Sequence, residues 1–446
     1  MEINIVKGTH DVFDDEARGF DYIEMVLKAV ADLYSFNQIR TPIIEHTELF
    51  TRSVGESSDI VRKEMYTFLD KGDRSITLRP ELTAGVMRSI VLNKLYATKD
   101  LPIKNYYVGP CFRYERPQAG RYRQFNQFGV ESVGVTSPFQ DLEVIMLGYD
   151  ALRYLGFKKV NLVINSLGDK ESRENYREAL KNYFAAHLDE MCSDCKERFN
   201  INPLRILDCK VPSDHELALN APKMRDYLTP SAKARFELIT KTLDDYGIPY
   251  EIDDSLVRGL DYYSHIIFEF HYQTDSGVDV GAIGAGGHYD SLLSEVGGPE
   301  LSGVGIAFGI ERLYAVMKED NLLKDTEVKT DIYVMPIGEK AIEHAFSLAQ
   351  VLRANAYRVE VCLENKSFKQ LFKRAEHVNA QLALIIGDNE IANNEVVIKD
   401  LHTQKQVNLP LDNLLSTLDM MFNTEEEEHH EHCDHEHHEC SCHHEE

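Results

Sequence analysis

Four arginines, Arg113, Arg116, Arg121 and Arg123, crowd into and beside one short loop of this chain. A guanidinium keeps its charge and binds phosphate oxygens in pairs, so such a cluster suits a polyphosphate or a nucleic-acid backbone. A solvated basic turn has the same composition. Here Glu115 and Glu131 on the flanking strands, with Gln127 near the latter, add groups suited to an adenine amino group or an α-ammonium. A second phosphate signal lies much further along, where Ser302-Gly303-Val304-Gly305-Ile306-Ala307-Phe308-Gly309-Ile310-Glu311-Arg312-Leu313 reads as a glycine-punctuated strand entering a helix with an arginine in its first turns. Glycine admits a ligand close to the backbone and a helix N-terminus favours anions, although glycines equally permit tight strand–helix packing. Neither this segment nor residues 281–287 has the Gly-Lys-Ser/Thr ending of a P-loop, and no Rossmann fingerprint follows an early strand. Nucleotide binding by those folds is therefore not expected.

The elements that must position these groups are legible in the apolar pattern. Phe20, Ile23, Leu27, Val30 and Tyr34 recur at helical spacing over residues 16–34, which predicts a packing helix. Residues 64–69 and 75–78, joined by Asp70-Lys71-Gly72-Asp73, predict a hairpin. A stronger hairpin pairs residues 103–113 with 123–133 across the arginine loop, whose Pro117 and Gly120 are turn formers. Further strands are expected at 159–164 and 266–272. With the long helices between, this describes an antiparallel sheet backed by helices, an α+β arrangement. Residues 169–246 turn helical and polar, as an insertion would. Charged residues break the pattern across 317–330, where a linker is expected. Beyond it, strands at 332–336, 358–363 and 382–386 alternate with helices at 339–355 and 368–378, which predicts a separate open α/β domain.

A chain of 446 residues exceeds a single core of roughly 250–300 residues, in keeping with this division. No apolar run reaches the ~20 residues that span a bilayer, and the opening residues lack a secretory pattern, so a soluble, cytoplasmic protein with no membrane partner is expected. The net charge of −26 argues against general nucleic-acid binding, and any such contact must be local. Residues 425–446 carry −10 of that charge, and the remainder of the chain −16.

The arginine-loop and glycine-strand segments resemble motifs 2 and 3 of class II aminoacyl-tRNA synthetases, and residues 39–52, with Pro42, resemble motif 1. Leu256-Val257-Arg258-Gly259-Leu260-Asp261-Tyr262-Tyr263 and Ala285-Gly286-Gly287-His288-Tyr289-Asp290 resemble the two signatures of histidyl-tRNA synthetases, as do Lys7-Gly8-Thr9-His10-Asp11 and Leu78-Arg79-Pro80-Glu81-Leu82-Thr83-Ala84. The similarity covers nearly the whole chain, from Met1 to about Met421. It implies the class II antiparallel catalytic sheet over 1–320, with the insertion at about 169–246, and an anticodon-binding α/β domain over 331–422. It also implies activation of histidine by ATP with Mg²⁺, transfer to tRNA(His), and a homodimer built on motif 1.

Carried over residue by residue, the resemblance assigns Arg258 and Arg113 to the α-phosphate, Arg121 and Arg312 to the β- and γ-phosphates, and Phe125 to adenine, with Glu115 beside them. Glu81, Thr83 and Glu131 take the histidine ammonium, Tyr263 and Tyr289 its imidazole, and Gln127 and Arg258 also bind the amino acid. Polar partners of this kind reject apolar amino acids without editing. For tRNA, Arg116, Gln118 and Arg123 are candidates in the loop, and Lys366, Lys369 and Lys373 on one expected helical face. His288 departs from the family, which usually has Arg there, and is left out of the site. A noncatalytic relative, the regulatory subunit of ATP phosphoribosyltransferase, shares the catalytic fold but commonly lacks the ligand-binding set and the anticodon domain. A binding module that has lost catalysis is the other alternative.

Cysteine usage does not describe a disulfide framework. Cys111 and Cys362 stand alone in apolar segments as buried filler. Cys192, Cys195 and Cys209, with His215 near, have zinc-like spacing but no evident fourth ligand, so a structural role is preferred. Residues 425–446 interleave His429, His430, His432, Cys433, His435, His437, His438, Cys440, Cys442, His443 and His444 with acids and almost no apolar residue. Such a segment cannot bury a core and offers ligands for transition metals without defined geometry. Calorimetry should therefore detect weak multisite Zn²⁺ uptake that is lost on deleting residues 425–446; uptake unchanged by the deletion would remove the tail from consideration.

Overall fold

The helix Asp14–Leu33 turns Phe20, Ile23, Leu27 and Val30 inward, the face expected from their spacing. In this computed structural model, which describes residues 3–55, 58–116, 120–323 and 330–422, that face packs on an eight-stranded sheet. Its order is Asn37–Gln38, Ile103–Phe112, Gln124–Val133, Gly303–Gly309, Asp279–Tyr289, Tyr263–Gln273, Val160–Gly168 and Tyr250–Ile252. The six central strands are antiparallel, and only the two short outer strands pair in parallel. The α+β expectation is met. One core of Leu, Ile, Val and Phe lies between the sheet and its helices, and a second lies on the other face under the helix Thr83–Leu92.

The predicted hairpins are present as Tyr66–Leu69 with Ser75–Leu78 and as Ile103–Phe112 with Gln124–Val133, the first joined by Ile44–His46 into a small antiparallel sheet. The glycine-punctuated segment is the strand Gly303–Gly309 followed by the helix Ile310–Glu319. Glu311 in that helix is buried and accepts hydrogen bonds from the Asn126 backbone amide at 2.8 Å and its side chain at 3.1 Å, tying the helix to the arginine hairpin. The insertion contains the helices Lys170–Ala185, Ser193–Ile201, Pro212–Leu219 and Pro230–Asp245. Its separate core runs from Tyr176 to Met224, whereas Ile239 and Leu243 of the last helix join the core of the large sheet. The self-contained part therefore stops short of residue 246.

The described residues fall into two compact units, 3–323 and 330–422. The second unit is a five-stranded sheet in the order Val359–Val361, Thr330–Ile337, Ala380–Gly387, Glu395–Asp400 and Gln406–Pro410. Its first three strands are parallel, as the alternation predicts, and the last two add an antiparallel edge. Among the described residues no helix is long and apolar enough to cross a membrane. Gln118 and the metal-ligand candidates of 425–446 lie outside the described residues.

Candidate active site

A cleft of about 420 Å³ opens on the large sheet, and at its floor sits Glu131, 2 % exposed. Burying a carboxylate needs donors on both oxygens. Thr83 Oγ1 (2.7 Å) and Tyr107 OH (3.0 Å) donate to Oε1, and Tyr289 OH (2.7 Å) donates to Oε2. Burial still dominates and pushes its pKa up to about 7. The neighbouring strand makes room: Gly305 faces Glu131 in register, and a Cβ there would lie 2.0 Å from Oε2. Glu81, also buried, accepts from the amides of Thr83 (2.6 Å) and Ala84 (2.9 Å) at the start of the helix Thr83–Leu92; burial raises its pKa against those bonds.

Around this acidic floor stand four guanidinium groups. Arg113 donates to Pro80 O (2.9 Å), lies 3.8 Å from Glu115, and has Cζ 5.3 Å from the Phe125 ring. Arg121 is 3.8 Å from the other oxygen of Glu115. Arg258 pairs with Glu269 and has Cζ 5.7 Å from the Tyr263 ring, leaving its Nε without a partner. Arg312 donates to Val280 O. Burial lowers the Arg312 pKa, and the charge of Arg121 lowers it further.

The cleft brings together all twelve residues assigned to ATP or histidine: Glu81, Thr83, Arg113, Glu115, Arg121, Phe125, Gln127, Glu131, Arg258, Tyr263, Tyr289 and Arg312. Tyr107, Tyr122, Tyr262 and Glu269 line it too and were not anticipated. Glu269 had a signal, being the lone charge in the apolar run Ile266-Ile267-Phe268-Glu269-Phe270. Cys111 is buried filler as expected, and its thiol meets Gln127 Oε1 at 3.3 Å. His288 alternates with Tyr289 and so faces away from the cleft, buried between Asp141 (Nδ1 at 2.7 Å) and Asp290 (Nε2 at 3.1 Å). Burial disfavours its charge, but the two carboxylates outweigh that and raise its pKa.

The two described loop candidates for RNA, Arg116 and Arg123, do not line the cleft. Arg116 is exposed, and Arg123 stacks with Cζ 3.8 Å from the Tyr114 ring. In the second unit the helix begins at Phe368, behind a capping box of Ser367 and Gln370. Lys369 and Lys373 share its exposed side, but Lys366 precedes the helix and pairs with Glu364 at 2.5 Å; three lysines on one helical face is thus corrected to two.

A sheet of this order carrying arginines over a buried acid defines a class II aminoacyl-tRNA synthetase. The family model "Histidyl-tRNA synthetase" matches residues 8–313 and "Anticodon binding domain" matches residues 331–420. Histidine–tRNA ligase of Bacillus licheniformis is 46% identical over 94% of this chain and 99% of its own length. That of Bacillus subtilis is 45% identical over the same shares. The crystal structure of apo histidyl-tRNA synthetase from S. aureus superposes with a TM-score of 0.80 at 38% identity, covering 94% of this chain and all of that one. The chain belongs to the histidyl-tRNA synthetase family, and is an ATP-dependent aminoacyl-tRNA ligase.

The buried Glu131 makes the stability of the fold depend on pH. Its pKa is about 7 folded against 4.5 unfolded, so the native state binds the proton more tightly. That contribution is complete below 4.5 and is lost as pH rises through about 7. Between pH 5 and pH 8 the wild-type unfolding free energy in urea should fall by up to about 3 kcal/mol relative to Glu131→Gln. Parallel curves for the two proteins would remove Glu131 as the cause.

Proposed function

We propose that the chain activates histidine with ATP to histidyl-adenylate and transfers it to the terminal adenosine of tRNA(His), over a catalytic domain at 1–320 and an anticodon-binding domain at 331–422. The observation that carries this reading is the one cleft in which four guanidinium groups face a buried acid–hydroxyl cluster. The histidine carboxylate attacks the α-phosphorus and pyrophosphate leaves. Little covalent work falls to the protein, which must neutralise charge developing on phosphate oxygens. Arg258 and Arg113 do so at the α-phosphate, Arg121 and Arg312 hold the β- and γ-phosphates, and Phe125 and Glu115 hold adenine. Glu81, Thr83 and Glu131 hold the ammonium; Tyr263 and Tyr289 border the imidazole, and Gln127 also binds the amino acid.

The cleft carboxylates Glu115 and Glu269 already face arginines, so the residues fit Mg²⁺ arriving on the phosphates of ATP better than a resident ion. Bound there, Mg²⁺ supplies charge neutralisation. The regulatory-subunit reading is weaker: a structure titled ATP phosphoribosyltransferase regulatory subunit/histidyl-tRNA synthetase, from Bacillus halodurans, is only 22% identical and shares the fold. Lys369 and Lys373, with Lys366 and the loop residues Arg116, Gln118 and Arg123, are the proposed RNA contacts. Ile44, Phe68 and Leu69 are exposed on the small sheet that carries part of motif 1, and Ile43 is exposed just before it, which supports a homodimer. A cytoplasmic location belongs to the same reading, since it uses tRNA, ATP and histidine. Transition-metal binding by 425–446 is a separate property of the tail.

Sedimentation should give twice the mass of one chain. Purified protein should catalyse histidine-dependent ATP–pyrophosphate exchange; correctly folded protein without exchange would refute the assignment. Arg258→Ala should depress exchange at saturating histidine on the order of 100-fold while weakening histidine binding far less. Equal losses in both would contradict its role at the phosphate.

A further inference from the structure

The insertion brings together three cysteines and a carboxylate that the cleft chemistry does not use. Cys192 caps the helix Ser193–Ile201, Cys195 lies in its first turn, Cys209 follows the next short helical turn, and Asp214 opens the helix Pro212–Leu219. One ligand atom from each lies within 4.8 Å of all the others. Cys192 Sγ is 3.9 Å from Cys209 Sγ, and Cys209 Sγ is 3.7 Å from Asp214 Oδ2. Tetrahedral zinc with Zn–S bonds of about 2.3 Å sets its sulfur ligands about 3.8 Å apart. The three cysteines are free thiols.

Asp214 supplies an independent observation. It is 0 % exposed and forms no ion pair among the described residues. Its polar partners are the Cys192 backbone amide (3.0 Å), the Ser213 hydroxyl (3.1 Å) and the thiols. Buried charges are normally paired or bound to a metal, and here no protein cation takes that place. Helices from both sides of the cluster converge on it, leaving only Cys192 half-buried.

We propose that Cys192, Cys195, Cys209 and Asp214 bind one structural Zn²⁺. The ion replaces the thiol protons and gives the buried carboxylate its counter-charge. Asp214, not the neighbouring His215, completes the set, because only Asp214 projects into the cluster. Four protein ligands close the coordination sphere, which is the pattern of a structural site and not of a catalytic one. The Cys192 amide on Asp214 is the outer-shell bond that orients a carboxylate ligand. The metal has something to hold. Just after the helix Ser193–Ile201, Asn202 Nδ2 (3.0 Å) and Arg205 Nε (3.3 Å) donate to Asp261, and Arg205 also donates to Gly259 O, so the cluster braces the segment that carries Arg258.

The tail also offers thiols, so the test uses the full chain with Cys433, Cys440 and Cys442 changed to serine. After dialysis against a weak chelator, elemental analysis should find one zinc per chain. Replacement by Co²⁺ should give the thiolate charge-transfer band and intense visible absorption of a tetrahedral sulfur site. Cys195→Ser in the same background should lose both, and Asp214→Asn should weaken metal retention at least tenfold. The proposal is overturned by a background protein that holds no thiolate-bound metal, which is measured without any change to the cluster. It is equally overturned by unchanged zinc in Cys195→Ser, or by a Cys192–Cys209 disulfide in the unreduced chain.

Discussion

An unpaired carboxylate in the middle of a β-sheet is the constraint around which the catalytic unit is arranged. Glu131 has no cation within the cleft floor; three hydroxyl groups from three separate elements satisfy it. The two strands that carry Tyr107 and Tyr289 are thereby fixed in register, since a slip of one residue turns the donor to the other face, and Thr83 ties the start of its helix to the same point. Gly305 belongs to the same constraint, because any side chain there would occupy the place of a carboxylate oxygen. The result is an acid that burial pushes up to about 7. In the proposed function the approach of an ammonium shifts it to the ionised form, which favours a cation that also meets the surrounding hydroxyls.

Above the floor the problem is reversed. Four guanidinium groups close together repel one another, and without an anion between them something must hold them. Glu115 stands between Arg113 and Arg121, Glu269 takes Arg258, and main-chain carbonyls take donors of Arg113 and Arg312. These contacts orient the cations in advance, which removes reorganisation from the reaction itself. A generally acidic chain can in this way handle polyanions, because the positive field is confined to a cleft with partly buried walls and is not spread over the surface.

Much of this was legible in the sequence where a residue type had a single physical use. Arginines around a turn, hydrophobic spacing in residues 16–34 and alternation in the second unit each led to the element observed. What escaped notice depended on three-dimensional neighbours. The strand Asp279–Tyr289 is glycine-rich, and weak β-propensity hid it until its partners on both sides were known. Tyr107 joins the site through the pleat of a strand whose composition reads as ordinary core. The antiparallel strands Glu395–Asp400 and Gln406–Pro410 follow the region where parallel alternation ends, so a strict βαβ reading stops before them.

His288 illustrates the same limit from the opposite side. A family position that usually carries a permanent cation holds here a titratable one, a departure that kept His288 out of the expected site. The pleat gives the reason: with Tyr289 directed at Glu131, His288 must face the helix Pro138–Tyr154, where Asp141 is fully buried. Arg235 reaches the same carboxylate at 2.6 Å, so Asp141 is served by a guanidinium and an imidazole from different elements. The imidazole spans Asp141 and Asp290 with one nitrogen on each carboxylate, in less volume than an arginine would take. The substitution is therefore a change in how the back of the sheet is pinned, and it leaves the chemistry on the front face to the residues that line the cleft.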